Sequence, residues 1–123
     1  MAENKDFISN ELENGTLIIN EDVITTIVST AVKDVEGVAS MNGNFSEDLA
    51  GILGRKNSGK GIKIQLGEDD VQVECSLTVL YGHSVVEIAK NVQNVVTNAI
   101  ESMTGLKVAH VDVNICGIAM AKA

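Results

Sequence analysis

The feature that most constrains this chain is the stretch from Val71 to Tyr81. Val71, Val73, Cys75, Leu77, Val79 and Tyr81 fall on one side of an extended backbone, and Gln72, Glu74, Ser76 and Thr78 fall on the other. Successive side chains of a strand point to opposite faces, so this alternation describes a strand with one buried and one watered face, the pattern usual for an antiparallel sheet. The rest of the chain must then supply a cover for one side of that strand only.

Two segments have the right period to be that cover. Val23, Ile24, Ile27, Val28, Ala31, Val32 and Val35 recur at helical spacing, which predicts a first helix over 21–35. Asn20 stands at its N-cap position, Glu21 and Asp22 suit its positive end, and Gly37 is placed to end it. A second stripe runs Val85, Ile88, Ala89, Val92, Val95, Val96, Ala99, Ile100 and Met103, with Ser84 and Glu87 spaced as a capping box and Gly105 as the stop. So many β-branched residues weaken an isolated helix, so packing on a sheet must hold this one.

Shorter strand signals lie in GTLIIN from Gly15, GVASM from Gly37, GIKIQL from Gly61 and KVAHVDVNICG from Lys107. In the last of these Ala109, Val111, Val113 and Ile115 are expected on one side and His110, Asp112 and Asn114 on the other. The order is β-α-β-β-β-α-β. It predicts an α+β fold, a single two-layer sandwich with a mainly antiparallel sheet and two helices on one face. With only two phenylalanines, one tyrosine and no tryptophan, the core must be aliphatic. The expected organisation is a mobile acidic tail over 1–14, a domain over 15–118 and a short tail over 119–123. A polar, glycine-rich stretch over 42–60 interrupts the domain, with one turn of helix expected at SEDLAGIL.

Several motifs resemble chemical sites without the context those sites need. GRKNSGKG, residues 54–61, is one substitution from a phosphate-binding loop, but such a loop joins a strand to a helix, and here a strand follows; Gly61 stands where the magnesium-ligating hydroxyl belongs. GILG, residues 51–54, has the outline of a KH loop with apolar middle residues unsuited to phosphates. His110 and Cys116 are six residues apart on one strand, roughly 20 Å, too far for a base and its nucleophile. Cys75 reads as a buried small hydrophobe on the face opposite Cys116, and Glu68, Asp69 and Asp70 read as hairpin polarity. No catalytic residue, cofactor site or metal ligand is assigned.

What remains are two candidate contact surfaces. One is the cationic cluster Arg55, Lys56, Lys60 and Lys63, set in a chain of net charge −8. The other is the uncovered sheet face with Glu74, Ser76, Thr78, His110, Asp112 and Asn114. The strong negative charge disfavours indiscriminate contact with nucleic acid or anionic lipid. A nucleic-acid binder using the cationic cluster is the alternative reading. No segment approaches the roughly 20 apolar residues needed to span a bilayer, and the first residues lack the basic start and apolar run of a secretory signal. A cytoplasmic location is expected.

GTLIINEDVITTIVSTAVKDVEGVASM, then GKGIKIQL, then the segment from VECSLTVLYGHSVVE to VDVNICGI resembles the alkaline shock protein family of Gram-positive bacteria across about residues 15–118. The most specific pieces are Tyr81-Gly82, Val92-Gln93, and Met103-Thr104-Gly105-Leu106 leading into Val111-Asp112-Val113. His83 departs from the polar or small residue expected there. The resemblance implies a small cytoplasmic protein of the envelope or general stress response, brought near the membrane by a partner protein rather than by its own insertion, with no catalytic residues to carry over. A homo-oligomer or a complex with a membrane-associated protein is the expected mode of action.

Overall fold

The structure is a computed structural model that describes residues 7–41 and 61–120. The elements are β1 (Phe7–Leu12), β2 (Gly15–Asn20), α1 (Glu21–Lys33), β3 (Val38–Met41), β4 (Ile62–Leu66), β5 (Asp70–Leu80), α2 (Val85–Thr104) and β6 (Lys107–Ala119). The expected turn of helix at SEDLAGIL lies outside the described residues.

β5 is the hub. β6 pairs with it along its whole length, Asp70 opposite Lys107 through Leu80 opposite Ala119. A strand has two edges, so β3 and β4 share the other: β3 pairs with Leu77–Val79 and β4 with Val71–Cys75. Both run antiparallel to β5 and follow one another along it, so they behave as one strand interrupted by the 42–60 insertion. β6 runs parallel to β5, which requires the crossover that α2 provides. The rest of this four-stranded sheet is antiparallel, as the sequence predicts, whereas β2, expected in the same sheet, pairs antiparallel with β1 in a separate two-stranded one.

Both helices lie on the same face. Val71, Val73, Cys75, Leu77 and Val79 of β5 are buried beneath them, joined in the core by Ile24, Val28 and Val32 of α1 and by Ile88, Val92, Val96 and Ile100 of α2. α1 covers β3 and β4, α2 covers β6, and the helices touch side by side. Ser84 caps α2 by accepting the Glu87 N–H (3.3 Å), and Gly105 closes it in the left-handed conformation (φ +78) while donating to the Glu101 carbonyl. Asn20 occupies the N-cap position of α1, but its side chain makes no capping bond. α1 ends at Lys33, with Asp34 as its C-cap, before Gly37.

Four sequence expectations are corrected. Phe7–Leu12 forms a strand within the stretch read as a mobile tail. Its register sets Ile8 opposite Ile19, and both are buried in the core, which anchors a hairpin that would be marginal alone. Ala109 is exposed rather than core-facing, because β6 bulges between Val108 and His110; Val108 takes the inward position. Tyr81 lies beyond the end of β5 and is 65% exposed, and Met103 on α2 is 70% exposed.

Gly37 fixes how α1 hands the chain to the sheet. Its φ is +97, and a Cβ there would come within 2.7 Å of the Ile88 Cδ1. Gly37→Ala therefore combines backbone strain with overpacking. A loss of about 2–4 kcal/mol is expected in urea unfolding, and a loss below about 0.5 kcal/mol would contradict this packing.

Candidate functional site

The face of the sheet away from the helices is built from the alternate residues of four strands, and the register sets them in rows. Gln65, Gln72 and His110 form one row, and Lys63, Glu74 and Asp112 the next. Ser76 lies beside Asn114, and Ser40, Thr78 and Gly117 complete the grid. These positions carry no large apolar side chain, and the half-buried Leu80 follows them only at the end of β5, so among the described residues little drives a helix onto this face. Glu74, Ser76 and Thr78, on the central strand, are half-buried; His110, Asp112 and Asn114, on the edge strand, are exposed. Asn114 Nδ2 donates to Glu74 Oε2 at 2.8 Å across the two strands.

The six open-face residues picked out in the sequence thus share one surface. Lys63 joins them through its place opposite Glu74, whereas Arg55, Lys56 and Lys60 lie outside the described residues. The charges of the Lys63, Glu74 and Asp112 row, one positive and two negative, leave it net negative.

The thiols occupy contrasting environments. Cys75 is fully buried under the helices, and burial first, then the neighbouring Glu74 charge, pushes its pKa up from 9.0 to about 12. Cys116 is exposed at a second bulge of β6, between the pairs Leu77–Ile115 and Thr78–Gly117. Both are free thiols. At this bulge Cys116 has no β5 residue of its own, lying between Ile115 opposite Leu77 and Gly117 opposite Thr78.

Two residues of α2 protect the outer edge of β6: Gln93, noted in the sequence only as part of the family resemblance, and Glu101, which the sequence pattern did not single out. Gln93 Nε2 donates to the Val111 carbonyl (3.1 Å), and Glu101 Oε2 accepts the Val108 N–H (3.2 Å). Both sit on the flank of α2 above β6, eight residues apart, and their spacing on one helix flank was the only available signal.

The architecture defines a class, the one-sided two-layer α+β domains whose sheet keeps a polar surface in water. More particularly, the chain belongs to the alkaline shock protein 23 family, described by a cell envelope-related function, whose pattern matches residues 9–120. This is the family that the sequence resembles. The chain is 33% identical to the Bacillus subtilis (strain 168) protein YqhY over 104 residues, 85% of this chain and 77% of that one. It is 29% identical over 105 residues to the stress response regulator gls24 homolog of Streptococcus pyogenes serotype M3 (strain ATCC BAA-595 / MGAS315), spanning 85% of this chain but 59% of that longer protein. Among solved structures, the MamM CTD M250L chain superposes with a TM-score of 0.50 at 11% identity, covering 79% of this chain and 96% of that one, a likeness of fold alone. Among the described residues no helix is long and apolar enough to cross a membrane.

The thiol environments give a chemical test. At pH 8 Cys116 should react with a maleimide while Cys75 reacts at least about a hundredfold more slowly, becoming reactive on unfolding. A thiol whose folded pKa is raised contributes stability that is complete below its ordinary value and lost as pH climbs through the folded one. Stability should therefore fall between pH 9.0 and about 12 more steeply in the wild type than in Cys75→Ala. Equal labelling of both thiols in the native protein would contradict the buried placement.

Proposed function

We propose that this protein is a non-catalytic interaction module of the cell-envelope or general stress response, contacting other copies of itself or a membrane-associated protein. The observation that carries this reading is the uncovered polar sheet face, where Glu74, Ser76, Thr78, His110, Asp112 and Asn114 share one surface with Lys63. Such a face is rigid, because its rows hang on a hydrogen-bonded sheet with a packed core behind it. It offers hydrogen-bond donors and acceptors at fixed spacing, and that suits recognition of a complementary polar surface. The family's cell envelope-related description and the name of the streptococcal relative support the setting. The cytoplasm is the proposed location, with the membrane reached through a protein partner.

Nucleic acid is the less favoured ligand. A polyphosphate approaching Lys63 on this face meets Glu74 directly opposite and Asp112 in the same row. Repulsion from two carboxylates offsets the attraction of one ammonium.

The direct test is co-sedimentation with membrane vesicles prepared from the producing cells. The wild type should sediment with them, lose this after the vesicles are treated with protease, and bind at least about tenfold more weakly as Glu74→Lys/Asp112→Lys. Binding to protein-free lipid vesicles, or undiminished binding by the double variant, would overturn the reading.

A further inference from the structure

Among the described residues, the edge strand β6 is protected over only half its length. Its register with β5 and the contacts of Val108 and Val111 place the backbone groups of its helix-side residues on the outer edge. Over the first half, Glu101 accepts the Val108 N–H and Gln93 donates to the Val111 carbonyl. Over the second half, Val113, Ile115 and Ile118 are the helix-side residues, and β6 has no strand partner other than β5 among the described residues. The α2 position that would continue the series of caps is Val86, seven residues before Gln93 on the same flank. Seven residues of helix cover about 10 Å, or about three residues of strand, which brings Val86 level with the unprotected stretch. A valine offers the edge no hydrogen bond, and this one is 62% exposed.

Natural sheets blunt exposed edges with charge, particularly lysine, or with proline. The segment from Val113 to Met120, VNICGIAM, carries neither, in a chain of net charge −8. Instead it exposes apolar side chains: Ile118, on its helix side, is 57% exposed, and Met120, just past the end of the strand, 70%.

The spacing of these residues identifies what fits. The helix-side positions are Val113, Ile115, Ile118 and, by continued alternation, Met120, with the bulge lengthening the middle interval. Their separations of two, three and two residues read the same in either direction. An antiparallel strand that matches them position for position needs the same bulge at the same place, and a second copy of β6 has it. We infer that two copies of this chain pair through the second halves of their β6 edges, antiparallel about a two-fold axis between Cys116 and Gly117.

In this pairing Val113 faces Met120 of the other copy and Ile115 faces Ile118. The outward peptide groups of the two edges satisfy one another, and the flanks of α2 carrying Val86 approach across the axis. The absence of charge along the segment lets two strongly acidic chains meet there without opposing carboxylates. The two sheets become one, so the polar open faces join into a single surface. Gln93 and Glu101 limit the pairing by occupying the first half of the edge. This inference rests on the proposal above only in assuming that the protein works by association. It names an edge, not the open face, as the self-contact.

Light scattering coupled to size exclusion over a concentration series tests it on the full chain. The wild type is expected to form a dimer. Ile118→Lys and, separately, Met120→Lys should weaken it at least about tenfold, with circular dichroism and the thermal midpoint confirming that each variant is folded. Glu74→Lys/Asp112→Lys should leave the dimer intact. A short bifunctional maleimide should join two wild-type chains through Cys116, and Cys116→Ser should abolish the product. A strictly monomeric wild type, or a dimer retained by both lysine variants, overturns the edge pairing. A dimer lost in the open-face double variant but kept by both lysine variants also overturns it, while leaving association through the open face standing.

Discussion

The structure depends on β5 being paired on both edges while buried on one face. Its alternation sends Val71, Val73, Cys75, Leu77 and Val79 into the core and leaves Gln72, Glu74, Ser76 and Thr78 on the far side. Everything else is arranged to complete that asymmetry. The two helices supply aliphatic stripes to one side, and β3, β4 and β6 extend the polar side without adding a large apolar residue to it. Burying Val, Ile and Leu side chains fully contributes about 1.5–3 kcal/mol each. Among the described residues nothing comparable acts on the open face.

Bulges and caps on β6 are what turn this slab into something specific. The bulge at Ala109 brings Val108 inward and keeps His110 in the polar row beside Gln72. The bulge at Cys116 does the same for Gly117 and Ile118. Each bulge absorbs one extra residue; without it the residues that follow would be turned to the opposite face of the sheet. The same irregularities divide its outer edge into a part that α2 closes with Gln93 and Glu101 and a part that it leaves open.

Most of the fold was legible because its signals are local periods. The period of two in β5 and the helical stripes of α1 and α2 each follow from residues close in sequence, and Ser84 and Gly105 mark the ends of α2 where capping chemistry requires them. The six open-face residues came from the same alternation. Other features depend on distant partners. β1 looks like an acidic tail until Ile8 is set opposite Ile19, because Ile8 is the only buried one of its apolar residues Phe7, Ile8 and Leu12 and a single buried position carries no period. The parallel direction of β6 leaves alternation unchanged, so the sequence pattern is silent on it. Both bulges are register shifts against β5, visible only once the two strands are paired. The collinearity of β3 and β4 was hidden by the 42–60 insertion between them.

The central claim is that the polar sheet face is where a partner is held, and the two histidines test it because they sample different places. His110 stands exposed in the row with Gln72 and Gln65, and His83 is exposed in the turn leading into α2. The decisive measurement is the rate of diethyl pyrocarbonate modification at each histidine, read by mass spectrometry with and without membrane vesicles from the producing cells. Slower modification of His110 with an unchanged rate at His83 is the predicted result. An unchanged rate at His110 with protein demonstrably bound would contradict the account.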